Sequence, residues 1–280
     1  MPQHKLLFLT LILLFLTSTL DAKENDKLGK FNIQKDLLLA QFDSKTDVDD
    51  IHSIAATATM LADKRFQKVN FYAVAGAYGD QEGLYVPAPK LFDLSFGQRW
   101  VNAHTDYDEA LKFVISKVAE TLEQSGTIWI AEAGQSNFTA DVIRAIKQQH
   151  PQVDTKTRIQ VVQHSDWNEG STNPVDLAYT KQNSGYHKIP DGNGKNNGTP
   201  GFKSHQMPDW RTYIKEPRLV SIWELAIVIA NKYNGEDKRY NNPAIADGGI
   251  DFSDVAEASW IFGFETLNDE TAFFKEFAQN

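Results

Sequence analysis

The sequence predicts an α/β fold, a single Rossmann-like domain with a mostly parallel central sheet flanked by helices. Three observations point to it. Leu37-Leu38-Leu39-Ala40-Gln41-Phe42 is apolar on both faces, as a strand covered by helices on two sides must be. Runs of this kind alternate with segments of helical period, the pattern of a parallel sheet with crossover helices. The 280-residue chain has no cysteine, yet is long enough to bury roughly three quarters of its unfolded surface without a covalent staple.

Residues 1–22 read as an export signal and are set apart from the fold. Lys5 precedes an apolar run from Leu6 to Leu16, broken only by Thr10, and small and polar residues lead to Ala22. The apolar stretch is short for a bilayer span, so cleavage after Ala22 is expected, with an uncleaved anchor as the alternative. The α/β domain is then 23–280. The expected location is exported, periplasmic or secreted, and an exported chain free of disulfides suits a bacterial periplasm. A net charge of −9 argues against nucleic-acid or anionic-membrane partners. The partner expected is a small-molecule substrate, and a homo-oligomer is compatible with the sequence.

After the first strand, Ile51, Ile54, Ala55, Ala58 and Leu61 recur at helical spacing, so Asp49-Asp50 open a helix of about 14 residues. Val69 to Ala75 is the next strand, and Asp108 to Glu123 is a helix. Thr127 to Ala131 is a strand, Phe138 to Gln149 a helix closed by Pro151, and Arg158 to Val162 a further strand. From 183 to 210 the chain is rich in Gly, Asn, Pro and His and reads as a long loop ordered over the site, with Tyr186, Trp210 and Trp167 near its mouth. Helices resume at 221–233, 253–263 and 268–277.

Ligands of open α/β sheets collect at the carboxyl ends of the strands. That rule selects Asp43, Asp47, Asp49 and Asp50 after the first strand and Asp80 after the second. It selects Glu132 at the third, and His164, Asp166, Asn168 and Glu169 after the fourth. Four carboxylates between Asp43 and Asp50 repel one another. Helix N-terminal amides offset one or two of them by about 0.3–1 kcal/mol each. A hard cation such as Ca²⁺ or Mg²⁺ offsets far more. The plainer alternative is a solvated acidic turn in which Asp47 caps the helix.

Phe42-Asp43 through Val48-Asp49-Asp50-Ile51 resembles the first-strand motif of the nucleoside hydrolases, Asp-x-Asp-Pro-Gly-x-Asp-Asp. Val74 to Asp80, Ile130 to Phe138, Asp166-Trp167-Asn168 and Asp251 to Ala256 are similar to later segments of that family, in the same order. The resemblance implies a Ca²⁺-dependent hydrolase of N-glycosidic bonds that uses a metal-activated water. It implies Asp43, Asp50 and Asp254 as metal ligands together with the carbonyl of Glu132, and Asp43 also as the base. It further implies that Asp49, Asp166 and Asn168 bind sugar hydroxyls and that Asp80 lines the pocket.

The departures are specific. The Pro-Gly pair is absent, and the stretch from Asp43 to Asp50 is two residues longer than the family spacing, so Asp47 is an alternative ligand or base. Glu132 stands where a threonine is usual, and Ser253 stands where a histidine helps the leaving base depart. His164 and His205 are candidate replacements as general acid. A non-catalytic sugar or nucleoside binder is the alternative function, and metal-assisted hydrolysis of another bond is a third. No Gly-x-Ser-x-Gly elbow, P-loop or dinucleotide fingerprint is present.

Overall fold

A computed structural model describes residues 26–278, and the expected export signal at 1–22 lies outside them. A small antiparallel pair, β1 (Lys27–Leu28) and β2 (Phe31–Asn32), leads into β3 (Leu37–Phe42) and helix α1 (Asp49–Ala62). Then come β4 (Asn70–Ala75), α2 (Pro89–Phe96), β5 (Trp100–Asn102), α3 (Tyr107–Glu123), β6 (Ile128–Ala133), α4 (Asn137–Gln149) and β7 (Ile159–Gln163). Short helices α5 (Asp166–Ser171) and α6 (Pro174–Asn183) precede β8 (Gly185–Lys188) and β9 (Lys203–Ser204). The chain ends with α7 (Pro217–Tyr233), β10 (Ile250–Asp251), α8 (Ala256–Ile261) and α9 (Glu270–Phe277).

Six strands form one parallel sheet in the order β5-β4-β3-β6-β7-β8. The chain winds outward from β3 to β5, returns to the centre, and winds the other way from β6 to β8. The winding reverses between β3 and β6, whose carboxyl ends therefore border the crevice where such folds bind ligands. The expected α/β architecture is thus the one observed.

Side chains alternate across β3. Leu38, Ala40 and Phe42 join a core with Ile51, Ile54 and Ala58 of α1 and Trp223 of α7. Leu37 and Leu39 join a second core with Val114 and Val118 of α3 and Ile143 and Ile146 of α4. Burying each such side chain contributes about 1.5–3 kcal/mol, so layers on both faces hold the central strand rigid. Helix α1 is buried along most of its length, which fixes its N-terminus, and the aspartates there, relative to the sheet.

The structure differs from expectation between residues 183 and 210. In place of one uninterrupted loop it has the edge strand β8 and the strand β9, which pairs antiparallel with β10. As an edge strand β8 has a neighbour on one side only, so Gly185-Tyr186-His187-Lys188 carries no apolar run to mark it. Trp210 is buried beside Trp223 rather than at the site's mouth. The Tyr186 hydroxyl donates to Glu169 at 2.8 Å. Among the described residues no helix is long and apolar enough to cross a membrane.

Candidate active site

At the end of β3 the chain is held by its neighbours on both sides. The amide of Asp43 donates to the Ala133 carbonyl at 3.1 Å, and the Phe42 carbonyl accepts from Gly76 at 2.8 Å and Ala77 at 3.1 Å. Gly134 follows β6 with φ of +147°, and a Cβ there would stand 2.8 Å from both the Cβ of Asp43 and the Ala77 carbonyl oxygen. Only glycine lets the two strand ends come this close. The acidic loop from Ser44 to Val48 forms a compact bulge. Ser44 is left-handed at φ 49°, the Lys45–Thr46 peptide is cis, and Ser44 accepts from the Val86 amide at 2.8 Å.

This bulge walls a pocket of about 400 Å³. Asp43, Lys45, Asp47, Asp49 and Asp50 line it from the first loop and the start of α1, with Ala133 at the end of β6 and Gly134 just after it. His164, Trp167 and Asn168 line it from the end of β7 and α5, and Asn193, Lys203, Tyr240 and Asp254 complete it. Carboxylate oxygens of Asp49, Asp50 and Asp254 lie within 4.8 Å of one another. Asp50 is buried against the Asp43 carboxyl group, and its Oδ2 accepts from the Ser44 amide while its Oδ1 accepts no hydrogen bond from the described residues. Asp254 accepts from the Ser53 hydroxyl at 3.2 Å.

Asp43 has both oxygens occupied, Oδ1 by the Lys45 amide at 2.9 Å and Oδ2 by the Gln135 side chain at 2.7 Å. Burial raises the pKa of Asp43, against hydrogen bonds that lower it. Asp49, Asp50 and Asp254 are pushed well above the carboxylate range, by burial first and then by the charges of their neighbours. Burial together with the charge of Asp251 takes Asp47 to about 7. The cluster is therefore a concentrated demand for positive charge. Lys203 answers part of it through an ion pair with Asp251 at 2.9 Å.

The histidines separate cleanly. His164 is buried on the pocket wall, and its Nδ1 lies 2.7 Å from the Glu257 carboxylate. Burial alone would lower its pKa, but the charge of Glu257, with those of Asp254 and Asp191, raises it to about 9. His205 is an exposed residue paired with Asp247 at 2.7 Å, outside the pocket lining.

Other residues singled out in the sequence also stand apart from the pocket. Asp166 is fully exposed and paired with Lys188 at 2.9 Å, and Asp80 is exposed and accepts from Asn173 at 3.1 Å. The Glu132 side chain is buried elsewhere, accepting from Ser136 at 2.7 Å and Gln163 at 3.3 Å. Gln135, Lys203 and Glu257 were not selected from the sequence. Of these only Glu257 left a signal there, one helical turn after Asp254.

Comparison of the chain with family models, with curated proteins and with solved structures gives no match in any of the three.

Proposed function

We propose that this chain is a divalent-cation-dependent hydrolase that cleaves the N-glycosidic bond of a ribonucleoside or a related glycoside. One observation carries the reading: Asp49, Asp50 and Asp254 crowd together in a pocket at the winding reversal, with one buried oxygen of Asp50 accepting no hydrogen bond from the described residues. A donor set made only of carboxylate oxygens fits a hard ion, and Asp50, Asp254 and Asp49 would hold Ca²⁺. When bound, the ion offsets the cluster's charge and acidifies the attacking water.

The chain's own groups supply the remaining chemistry. Asp43, oriented by Gln135 and the Lys45 amide, takes the water's proton. Asn168 hydrogen-bonds the sugar hydroxyls and holds the ring in a reactive geometry. Breaking the glycosidic bond builds positive charge on the ribosyl ring, which the surrounding carboxylates stabilise. His164 gives the leaving group its proton. Trp167 and Tyr240, both more than half exposed at the pocket, offer aromatic faces to the substrate's planar or apolar parts.

The test is ribose release from a panel of ribonucleosides after treatment with EDTA, with Ca²⁺ or Mg²⁺ restored in parallel. Release that depends on the cation is expected. Thermal stabilisation by a nucleoside with no ribose released over days would overturn the hydrolase reading in favour of a binding protein.

A further inference from the structure

We infer that Glu257 is a positioning residue that holds the His164 ring with Nδ1–H directed inward and Nε2 available to the pocket, so that His164 protonates the leaving group through Nε2. The inference rests on the hydrolase reading above. Glu257 belongs to α8, a short helix whose neighbouring residues Ala256, Ala258 and Ile261 are all core. Its side chain is 0% exposed. One oxygen, Oε1, accepts from the backbone amide of His164 at 3.2 Å and lies 2.7 Å from the ring Nδ1 of the same residue. The ring and the strand end that carries it are thus held by a single atom.

A carboxylate accepts but does not donate, so the proton of this pair sits on Nδ1 when Glu257 is ionised. The bond made by one imidazole nitrogen sets the role of the other. That leaves Nε2 of this pocket-lining residue free of Glu257, with Asp191 Oδ1 3.9 Å away from it. The facing charged groups are then Glu257 behind the ring and Asp254 and Asp191 around it, all acidic.

A purely structural role explains this arrangement poorly. An acid at zero exposure is costly to bury, and a neutral glutamine could accept the same two hydrogen bonds. The second oxygen, Oε2, accepts no hydrogen bond from the described residues, so the contacts Glu257 makes are those to His164. What a carboxylate adds over an amide is charge, and the ring that its oxygen touches is the His164 imidazole.

The experiment uses the full chain and two ribosides. In a ribonucleoside the base must be protonated to leave, whereas in 4-nitrophenyl β-D-ribofuranoside the phenolate leaves unaided. Glu257→Gln is expected to lower kcat on the nucleoside about 100-fold with little change in KM, and to lower turnover of the aryl riboside only about threefold. The double variant with His164→Gln should be no slower than His164→Gln alone, because the two residues act as one unit.

Independently of turnover, ¹⁵N-labelled wild-type protein should show a hydrogen-bonded Nδ1–H for His164 that Glu257→Leu, which removes the acceptor, abolishes. If the glutamine variant does not fold, Glu257→Asp keeps the charge, withdraws the oxygen by one methylene, and should show the same split between substrates. Equal losses on both ribosides would overturn the role of the pair in leaving-group protonation. An unchanged ring spectrum would overturn the positioning. If the wild-type protein turns over neither compound, the hydrolase reading falls, and the ring spectrum still decides whether Glu257 positions His164.

Discussion

Asp36 and Asp50 are both buried aspartates near the ends of the central strand, Asp36 just before β3 and Asp50 just after the loop that follows it. Every oxygen of Asp36 is used. Oδ1 accepts from the Thr127 amide at 2.9 Å, and Oδ2 accepts from the Asn32 amide at 2.8 Å and the Trp129 indole at 3.1 Å. Asp50 has one oxygen satisfied by Ser44 and one that accepts no hydrogen bond from the described residues, and Asp49 and Asp254 crowd against it. The amino end of the strand spends a carboxylate on tying β1–β2 and β6 to the sheet. The carboxyl end gathers carboxylates whose charge Lys45, Lys203 and His164 offset only in part. Burial alone therefore does not mark a functional acid; burial with unmet hydrogen-bonding capacity does.

The largest contrast should appear in turnover. Asp43→Asn should reduce ribose release about 10²–10⁴-fold while Asp36→Ala, measured per folded molecule, changes it little. Full activity in Asp43→Asn would show that Asp43 is not the base and leave Asp47 to be tested.

Stability should order the two ends the other way. Asp36→Ala strips three donors of their acceptor and should cost about 3 kcal/mol in denaturant unfolding. Asp50→Asn, with EDTA present, should raise the melting temperature. A saturating cation should stabilise the wild-type protein, by about 2.7 kcal/mol at a hundred times Kd, and fail to stabilise Asp50→Asn. A cation effect that survives Asp50→Asn would remove Asp50 from the proposed metal site.

A smaller effect should follow pH. The folded-state pKa of Asp47 is raised from 3.8 to about 7, so the folded protein holds its proton more tightly than the unfolded chain. The stability this gives is complete below pH 3.8 and is lost as pH rises through about 7. Without cation, the difference between wild type and Asp47→Asn should shift in favour of the variant across that window. A difference that stays flat with pH would contradict the shift. The least change is expected from His205→Ala, within about 0.5 kcal/mol, since its pair with Asp247 is exposed. Loss of ribose release in that variant would reverse the assignment of the two histidines.

The sequence by itself determined the sheet's buried strands, the helix that Asp49 and Asp50 open, and the acidic loop between them. Those features are written locally, in runs such as Leu37 to Phe42 and in the helical spacing from Ile51 to Leu61. Strand-end placement, a topological rule of α/β chains, also pointed to His164 and Asn168, whereas Asp254 entered only through the family resemblance. Which of the candidates converge was decided only by tertiary structure. Asp80 and Asp166 sit at strand ends as His164 does, yet they face solvent, and Glu132 turns into a separate buried cluster. Glu257 reaches His164 across 93 residues of chain. A contact of that span depends on how α8 packs beneath β7, and no periodicity along the chain encodes it. The compensation of the carboxylates is equally a tertiary property, since the same residue type is satisfied at one end of β3 and left demanding charge at the other.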